Sequence, residues 1–472
     1  MSTSTGTGTG TGTKAASVAQ ALESRALELL EMAQKAGATE AEVYGYGGTS
    51  LSAKVEKGDL GQVQADEGSS LGLRVMIDGR LGFASTNQMR PEAMKAAAAD
   101  AVAIAKLSPP DEANVLPEPA EVDDSHRMRH HLDADLEGID VAQVVERAQA
   151  LSQAALDHDA RVSIDQASFS VVSGASVVVS SRGIRQSDED AALTMSLMGL
   201  AVDGDETGGF DYRGAVVRSS AEVEAELHRI AGEVARACIG NLGAKAGKTY
   251  QGPVAFAPAA FASSFLGPLL GGISAIAVQR GRSALADKLN QRIAPGLTLI
   301  DDPTDPRVAG ARAFDREGLP ATKLKIVDDG VLNTFLHNSY SAAVGKTQST
   351  GHAQGGPRSV PGLGCHAIRI EASGADALQD EASLLAALGT GLYIQRFSGS
   401  VDAASGDFSG TAKSARWVEN GVIVRSVNEV MLSGNAFELL NGSTQLTRAT
   451  ERVGGSSQIP WALVDGVSVT AG

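Results

Sequence analysis

Between residues 40 and 86 apolar and polar residues alternate in one short run after another. The runs are "AEVYGYG", "LSAKVEKG", "DLGQVQAD", "SLGLRVMIDG" and "RLGFAST". A period of two puts successive side chains on opposite faces of a strand, so this stretch predicts a half-buried antiparallel meander. "EKGD" and "IDGR" supply the tight turns that join neighbouring strands. The meander lies between two helical patterns. Leu22, Leu27, Leu29, Leu30 and Ala33 give one apolar face to a helix over 17–35 that Gly37 stops. Pro91 opens a second helix over 91–106.

The same order recurs after "LSPPDEANVLPEPAEVDD", a Pro-rich acidic stretch that reads as a linker. "DVAQVVERAQALSQAAL" is helical and "SFSVVSGASVVVSSRG" reads as a hairpin. "LTMSLMGLAVDG" is a strand and "SAEVEAELHRIAGEVARACI" a closing helix. Two helix–strands–helix units in succession suggest an internal duplication. Beyond "GNLGAKAGKTYQG" an Ala- and Ser-rich helix, "PAAFASSFLGPLLGG", leads into many short strands divided by Gly or Asp turns. The expected class is α+β, with helix/antiparallel-sheet units followed by a large, mainly antiparallel β domain. The boundaries read as a low-complexity tail at 1–16, a first α/β unit at 17–106, a linker at 107–131, a middle α+β unit at 132–245 and a β-rich domain at 250–472. The Gly/Thr alternation of the tail predicts disorder.

Charge narrows the function. The chain carries 40 Lys+Arg against 56 Asp+Glu, a net charge of −16, and residues 1–250 hold 22 against 37. Phosphate backbones are repelled by such a body, so direct nucleic-acid binding is not expected. No run of 18 apolar residues predicts a membrane span. "MSTSTGTGTGTGTK" lacks the basic start and apolar core of a secretory signal. Two cysteines, Cys238 and Cys365, make no disulfide scaffold and fit a reducing cytoplasm.

Motifs of autonomous chemistry are missing or broken. "GAKAGKT" and "YSAAVGKT" approach a phosphate loop, but Leu242 and Tyr340 stand where its first glycine belongs. None of the eight histidines forms HExxH or HExxxH. His337, His352, Cys365 and His366 could converge, yet strand neighbours Cys365 and His366 point to opposite faces. Ser283, between Arg280 and Arg282, reads as the cap of a helix over "ALADKL" rather than as a nucleophile. Asp301, Asp302, Asp315 and Glu317 sit beside Pro or Gly, where acids shape turns.

Several long stretches in order resemble the TldD/PmbA family, also called the modulator of gyrase or U62 peptidase family. They are "GSSLGLRVMIDGRLGFAST", "GRSALADKLNQRI", "LIDDP", "FDREGLPATKLKIVDDGVLNTFLHNSYSAAVGKTQSTGHA", "GLYIQRFSGSVDAASGDFSGTAKSARWVENGVIV" and "VNEVMLSGN". The resemblance spans residues 18–472. It implies two branches that pair: a TldD branch holding zinc through HExxxH on the first helix of its last domain plus a late Cys, and a TldE/PmbA branch without them. The equivalent helix here, Pro258–Gly272, has no His, Asp, Glu, Cys or Lys, and "ERVGGSSQIPWALVDG" has no Cys. The resemblance therefore implies a TldE/PmbA-like chain with no catalytic or metal-ligating residue and no cofactor of its own. Zinc and base are expected in a TldD-type partner, with unfolded or leader peptides as substrates in the cytoplasm. Phe261, Phe265 and Leu266 are expected to anchor another surface on that helix. Gly351, Asp407 and Phe408, in the "STG" and "GDFS" signatures, are candidates for a peptide groove. A homodimeric, chaperone-like peptide-binding protein is the alternative, and a hydrolase using Ser283 a third reading.

Overall fold

The computed structural model describes residues 14–428 and 430–472. The tail read as disordered lies outside the described residues up to residue 13, while residues 14–16 are taken into the first helix.

The first half is one sheet. α1 (Lys14–Lys35) precedes β1 (Glu40–Glu56), β2 (Asp59–Ile77) and β3 (Arg80–Thr86), and α2 (Pro91–Leu107) closes the unit. α3 (Val141–Leu156), β4 (Val162–Ser180), β5 (Arg185–Asp203), β6 (Asp211–Val217) and α4 (Val223–Gly240) repeat that order. The strands lie β3–β2–β1–β4–β5–β6, all antiparallel, so the two units mirror each other across the β1/β4 pair. The duplication legible in the pattern is thus a duplication of topology.

Two expectations are corrected here. The paired runs of 40–56 and of 59–77 are each one long strand, and "SFSVVSGASVVVSSRG" continues straight through Gly174 instead of turning. The glycines mark a close approach rather than a turn. Gly48 faces Gly68 on one side and Gly174 on the other, and a Cβ on Gly48 would lie 2.3 Å from the Ser173 carbonyl oxygen. The real turns are Lys57–Gly58 and Asp78–Gly79, each with positive φ at both residues, the mirror-image turn that matches strand twist.

The start of β1 is covered on both faces. Ala41 and Val43 join the core formed with α1 and α2, while Glu42 and Tyr44, on the opposite face, meet the second half of the chain. The stretch read as a linker crosses that seam. Met128 is buried against Val308, Ala311 and Ala367. Its N–H donates to Asp188 at 2.8 Å.

The second half contains β7 (Tyr250–Phe256), helix α5 (residues 258–272), β8 (Leu297–Asp301), β9 (Leu324–Asp328), α6 (Ser339–Gly345) and β10 (Ile368–Ala372). β11 (Gly391–Val401), β12 (Asp407–Glu419), β13 (Val422–Asn428), β14 (Val430–Asn435), β15 (Thr444–Val453) and β16 (Ser457–Ala471) follow. Five strands close a ring: β16 pairs with β7, β7 with β11, β11 with β12, β12 with β14, and β14 with β16. Closure removes the edges that an open sheet would expose. Phe256, Phe397, Phe408, Leu432 and Val467 fill the core of this half, together with the buried side of α5. "ALADKL" forms turns rather than the expected helix. Ser283 Oγ donates to the Gly272 carbonyl at 2.7 Å and accepts from Leu285 N–H at 3.0 Å, so it caps a turn.

Candidate functional site

Helix α5 is where the family resemblance places a metal. It is α-helical over Pro258–Phe261, π-helical over Ala262–Leu266 and α-helical again over Gly267–Gly272. Pro268 explains the wide turn. It has no N–H to donate to the carbonyl four residues back, and its ring crowds that carbonyl. A π-turn brings residues five apart onto one face, the spacing of the two histidines in HExxxH. The pairs at that spacing here are Ala259/Ser264, Ala260/Phe265, Phe261/Leu266 and Ala262/Gly267.

None of these pairs offers the nitrogen, thiolate or carboxylate donors that zinc needs, so the residues present do not fit the ion. Ser264 Oγ is fully buried and has no hydrogen-bond partner among the described residues. Ser263 Oγ bonds the carbonyls of Ala259 and Ala260 within the helix. Phe265 packs on Phe256, Phe261 and Phe408 with ring centroids 4.9–5.6 Å apart. Phe261 and Phe265 are thus core side chains of this chain and are not presented to another surface. The exposed positions of α5 are Ser263 and Gly267, beside half-buried Leu266 and Leu270.

The second constellation is a buried polar joint between the halves. Glu42 and Arg74 are directly opposed in the β1/β2 ladder, with Arg74 Nη2 2.6 Å from Glu42 Oε2. The turn "FDREG" reaches across from the second half. Arg316 Nη1 donates to Glu42 Oε1 at 2.9 Å, and its guanidinium lies 4.1 Å from the centre of the Tyr44 ring. Arg74 Nη1 stands 2.9 Å from Glu317 Oε1, a charge contact rather than an aligned hydrogen bond. Glu317 Oε2 accepts from the N–H and Oγ of Ser339 at the start of α6, at 2.8 and 2.6 Å. Burial alone would raise the Glu42 carboxyl, but the guanidiniums of Arg74 and Arg316 overcome it and hold it below the ordinary carboxylate range.

Asp315 accepts from the N–H groups of Glu317, Leu319 and Ala353, a turn built on one carboxylate. Burial, and then the neighbouring charge of Glu317, push it up to about 7.

Behind it, Asp301 accepts from the N–H groups of His366 and Ala367. Asp301 Oδ2 also lies 3.0 Å from His352 Nε2. The rings of His352 and His366 stack with centroids 5.3 Å apart. His366 donates from Nε2 to the Gly351 carbonyl at 2.9 Å and accepts at Nδ1 from Gln354. Burial, with the nearby Arg312 cation, lowers it to about 3. Burial, and next the charge of Asp301, push the Cys365 thiol up, so that thiol is not poised for ligation or attack. Among the described residues no group of three or more His, Cys, Asp or Glu side chains is placed to hold a metal ion.

The groove candidates separate. Gly351 belongs to the joint. Its φ of +72° needs glycine, and a Cβ there would lie 2.2 Å from the Pro320 carbonyl oxygen. Asp407 and Phe408 are neighbours at the start of β12. Asp407 is exposed and tied to Ser405 and Asn435 at 2.9 Å each. Phe408 points the other way and is 3% exposed, in the core. Sequence reasoning missed Glu42, Arg74 and Arg316. The visible signal was the dense charge of "FDREG", which read as a turn and is one, but which also meets a partner far away in the chain.

The fold is thus a doubled helix–sheet unit joined through buried ion pairs to a second half built on a closed β ring, with α5 packed in the core of that half. Family models described as PmbA/TldA metallopeptidase domain 1, central domain and C-terminal domain match residues 41–105, 134–239 and 248–471. The chain belongs to the PmbA/TldD metallopeptidase family. It is 30% identical over 421 residues to a metalloprotease PmbA homolog of Haemophilus influenzae, covering 87% of this chain and 88% of that one. It is 29% identical over 402 residues to metalloprotease PmbA of Escherichia coli O157:H7, covering 83% of each. In fold it is similar to TldE from Thermococcus kodakarensis, with a TM-score of 0.83 and 23% identity over 94% of this chain and 100% of that one. A putative modulator of DNA gyrase from Thermotoga maritima superposes with a TM-score of 0.82 and 22% identity, over 95% of this chain and 100% of that one. No helix among the described residues is long and apolar enough to cross a membrane.

Proposed function

We propose that this chain is the non-metal subunit of a cytoplasmic two-chain zinc metallopeptidase acting on unfolded or leader peptides. A TldD-type partner supplies the metal and the general base. The observation that carries the reading is α5: a helix with a π-turn, at the position where the resemblance places HExxxH, that carries only Ala, Ser, Gly, Pro, Leu and Phe. Hydroxyls and carbonyls there cannot hold zinc against water or move a proton at neutral pH. The exposed face of the helix is small-sided, which lets another backbone come close.

Co-expression with a TldD-type chain tests this. The expected result is a stable pair that cleaves an unfolded peptide and loses that activity to a chelator. The reading fails if this chain does not associate with such a partner, or if it cleaves peptide by itself and a chelator has no effect.

A further inference from the structure

We propose that the outer edge of β2 from Gln62 to Ser70 is a docking strand for an extended, basic polypeptide segment. The inference rests on the peptide-handling reading above and adds a place and a charge preference. β3 ends at Thr86, paired with Leu71, so beyond that point β2 has β1 on one side and, among the described residues, no strand on the other. A bulge at Gly61 interrupts the ladder near the turn, but from Gln62 to Ser70 the register with β1 is unbroken. That is about 30 Å of strand whose outward N–H and C=O groups lack a ladder partner.

Natural sheets blunt such edges with Pro, bulges, Lys or a covering element. Gln62–Ser70 contains no Pro and no Lys, and Gln62–Gly68 is exposed throughout. The line of β3, extended past Asn87, is therefore open to an added antiparallel strand.

The surroundings hold this edge in a receptive shape. Gln62 donates to Gln64 at 3.1 Å and Gln64 to Asp66 at 2.7 Å, a side-chain ladder along one face. Val63 is 40% exposed on the other face. A cleft of about 560 Å³ lies between Glu67–Ser70 and the loop Gly356–Ser359, with Tyr46 and Asn87 in its lining. That loop is seated on the strand beside the cleft. A Cβ on Gly72 would come within 2.3 Å of the Pro357 carbonyl oxygen.

Charge selects the occupant. Both charged residues of Gln62–Ser70, Asp66 and Glu67, are acidic; the cations near the strand are Lys54, opposite Gln62 and paired with Glu56, Lys57 in the turn beside Asp59, and Arg358 on the facing wall. Two copies of this edge repel each other, whereas a basic segment is drawn to it. Backbone pairing supplies binding without demanding a particular sequence.

Hydrogen exchange on the full chain tests the inference. The probes are a 12-residue peptide of alternating Val, Thr and Lys, the same peptide with Glu for Lys, and the Lys peptide N-methylated at every residue. The Lys peptide is expected to slow exchange of the 62–70 amides roughly tenfold at saturation. The Glu peptide should bind at least about threefold more weakly, and the N-methylated one not at all. The double variant Asp66→Asn, Glu67→Gln should stay folded, still pair, and lose most of the difference between Lys and Glu peptides.

The inference is overturned if the Lys peptide binds while only amides elsewhere are protected. It is overturned equally if 62–70 is protected without peptide and opens on removal of residues 1–13 or on dilution, since the occupant is then the chain's own end or a second copy. If the two-chain complex cleaves peptide while 62–70 never gains protection, the docking strand fails and the proposed function stands. If the Lys peptide protects 62–70 in a chain that never assembles with a metallopeptidase partner, the docking strand stands and the proposed function fails.

Discussion

Arg316 Nη1 stands 2.9 Å from Glu42 Oε1, a bond between residues 274 positions apart that closes the seam between the two halves. Glu42 is fully buried and is shared by Arg74 and Arg316. Removing it leaves Arg316 without a carboxylate and Arg74 with Glu317 alone. Glu42→Ala is expected to cost about 3–5 kcal/mol in urea unfolding, the range for breaking a buried ion pair from one side. Glu42→Leu combined with Arg316→Met, which removes both members of the long-range pair, should recover part of that loss.

The joint also predicts a pH dependence. His366 is held neutral by burial, and its folded-state value of about 3 lies below the unfolded 6.5. Between those values the unfolded chain binds more protons than the folded one, so stability rises with pH across that window. The contribution is complete above about 6.5 and falls away as the pH drops toward 3. His366→Gln should flatten the acid side of the stability curve between pH 6.5 and 4 relative to the parent chain. Unfolding midpoints at a series of pH values measure the difference.

Close packing at the same place gives a steric prediction. A Cβ on Gly310 would lie 1.7 Å from the His366 carbonyl oxygen, a backbone atom that cannot swing aside. Gly310→Ala should destabilise the chain by at least about 1–3 kcal/mol, as overpacking does. Gly356→Ala, with no heavy atom within 4 Å of the added carbon, should stay within about 0.5 kcal/mol of the parent.

On α5, an added Cβ at Gly267 meets nothing within 4 Å, and φ is −55°. Gly267→Ala should therefore leave the isolated chain within about 0.5 kcal/mol of the parent, because the helix-propensity gain is opposed by the crowding of a new Cβ against the ring of Pro268, which follows it. Gly267→Trp should leave this chain folded yet weaken its association with a TldD-type partner, because it fills the small-sided face assigned to that contact. Thermal unfolding and co-purification read the two effects separately.

Periodicity and turn chemistry made the frame legible. α1, α2, α3 and α4 follow their apolar faces, and Lys57–Gly58 and Asp78–Gly79 are turns because both residues need positive φ. Glycine misled elsewhere. Gly48 and Gly174 resemble breaks, yet they let two long strands cross closely, and nothing local distinguishes these uses of a missing side chain. The joint was half legible. Asp315 shapes a turn as its neighbours suggest, but which guanidinium Glu317 meets depends on a sheet formed by residues far upstream. The "GDFS" motif points to Phe408 as a groove residue. Its face of β12 points inward because β12 closes a ring, a property of five strands together.

The central claim is that this polypeptide owns no catalytic metal. Zinc per chain, measured by elemental analysis of the purified protein alone and of its complex with a TldD-type partner, tests it most directly. The account predicts far less than one zinc in the isolated chain and close to one per pair in the complex. One tightly held zinc per isolated chain would contradict it.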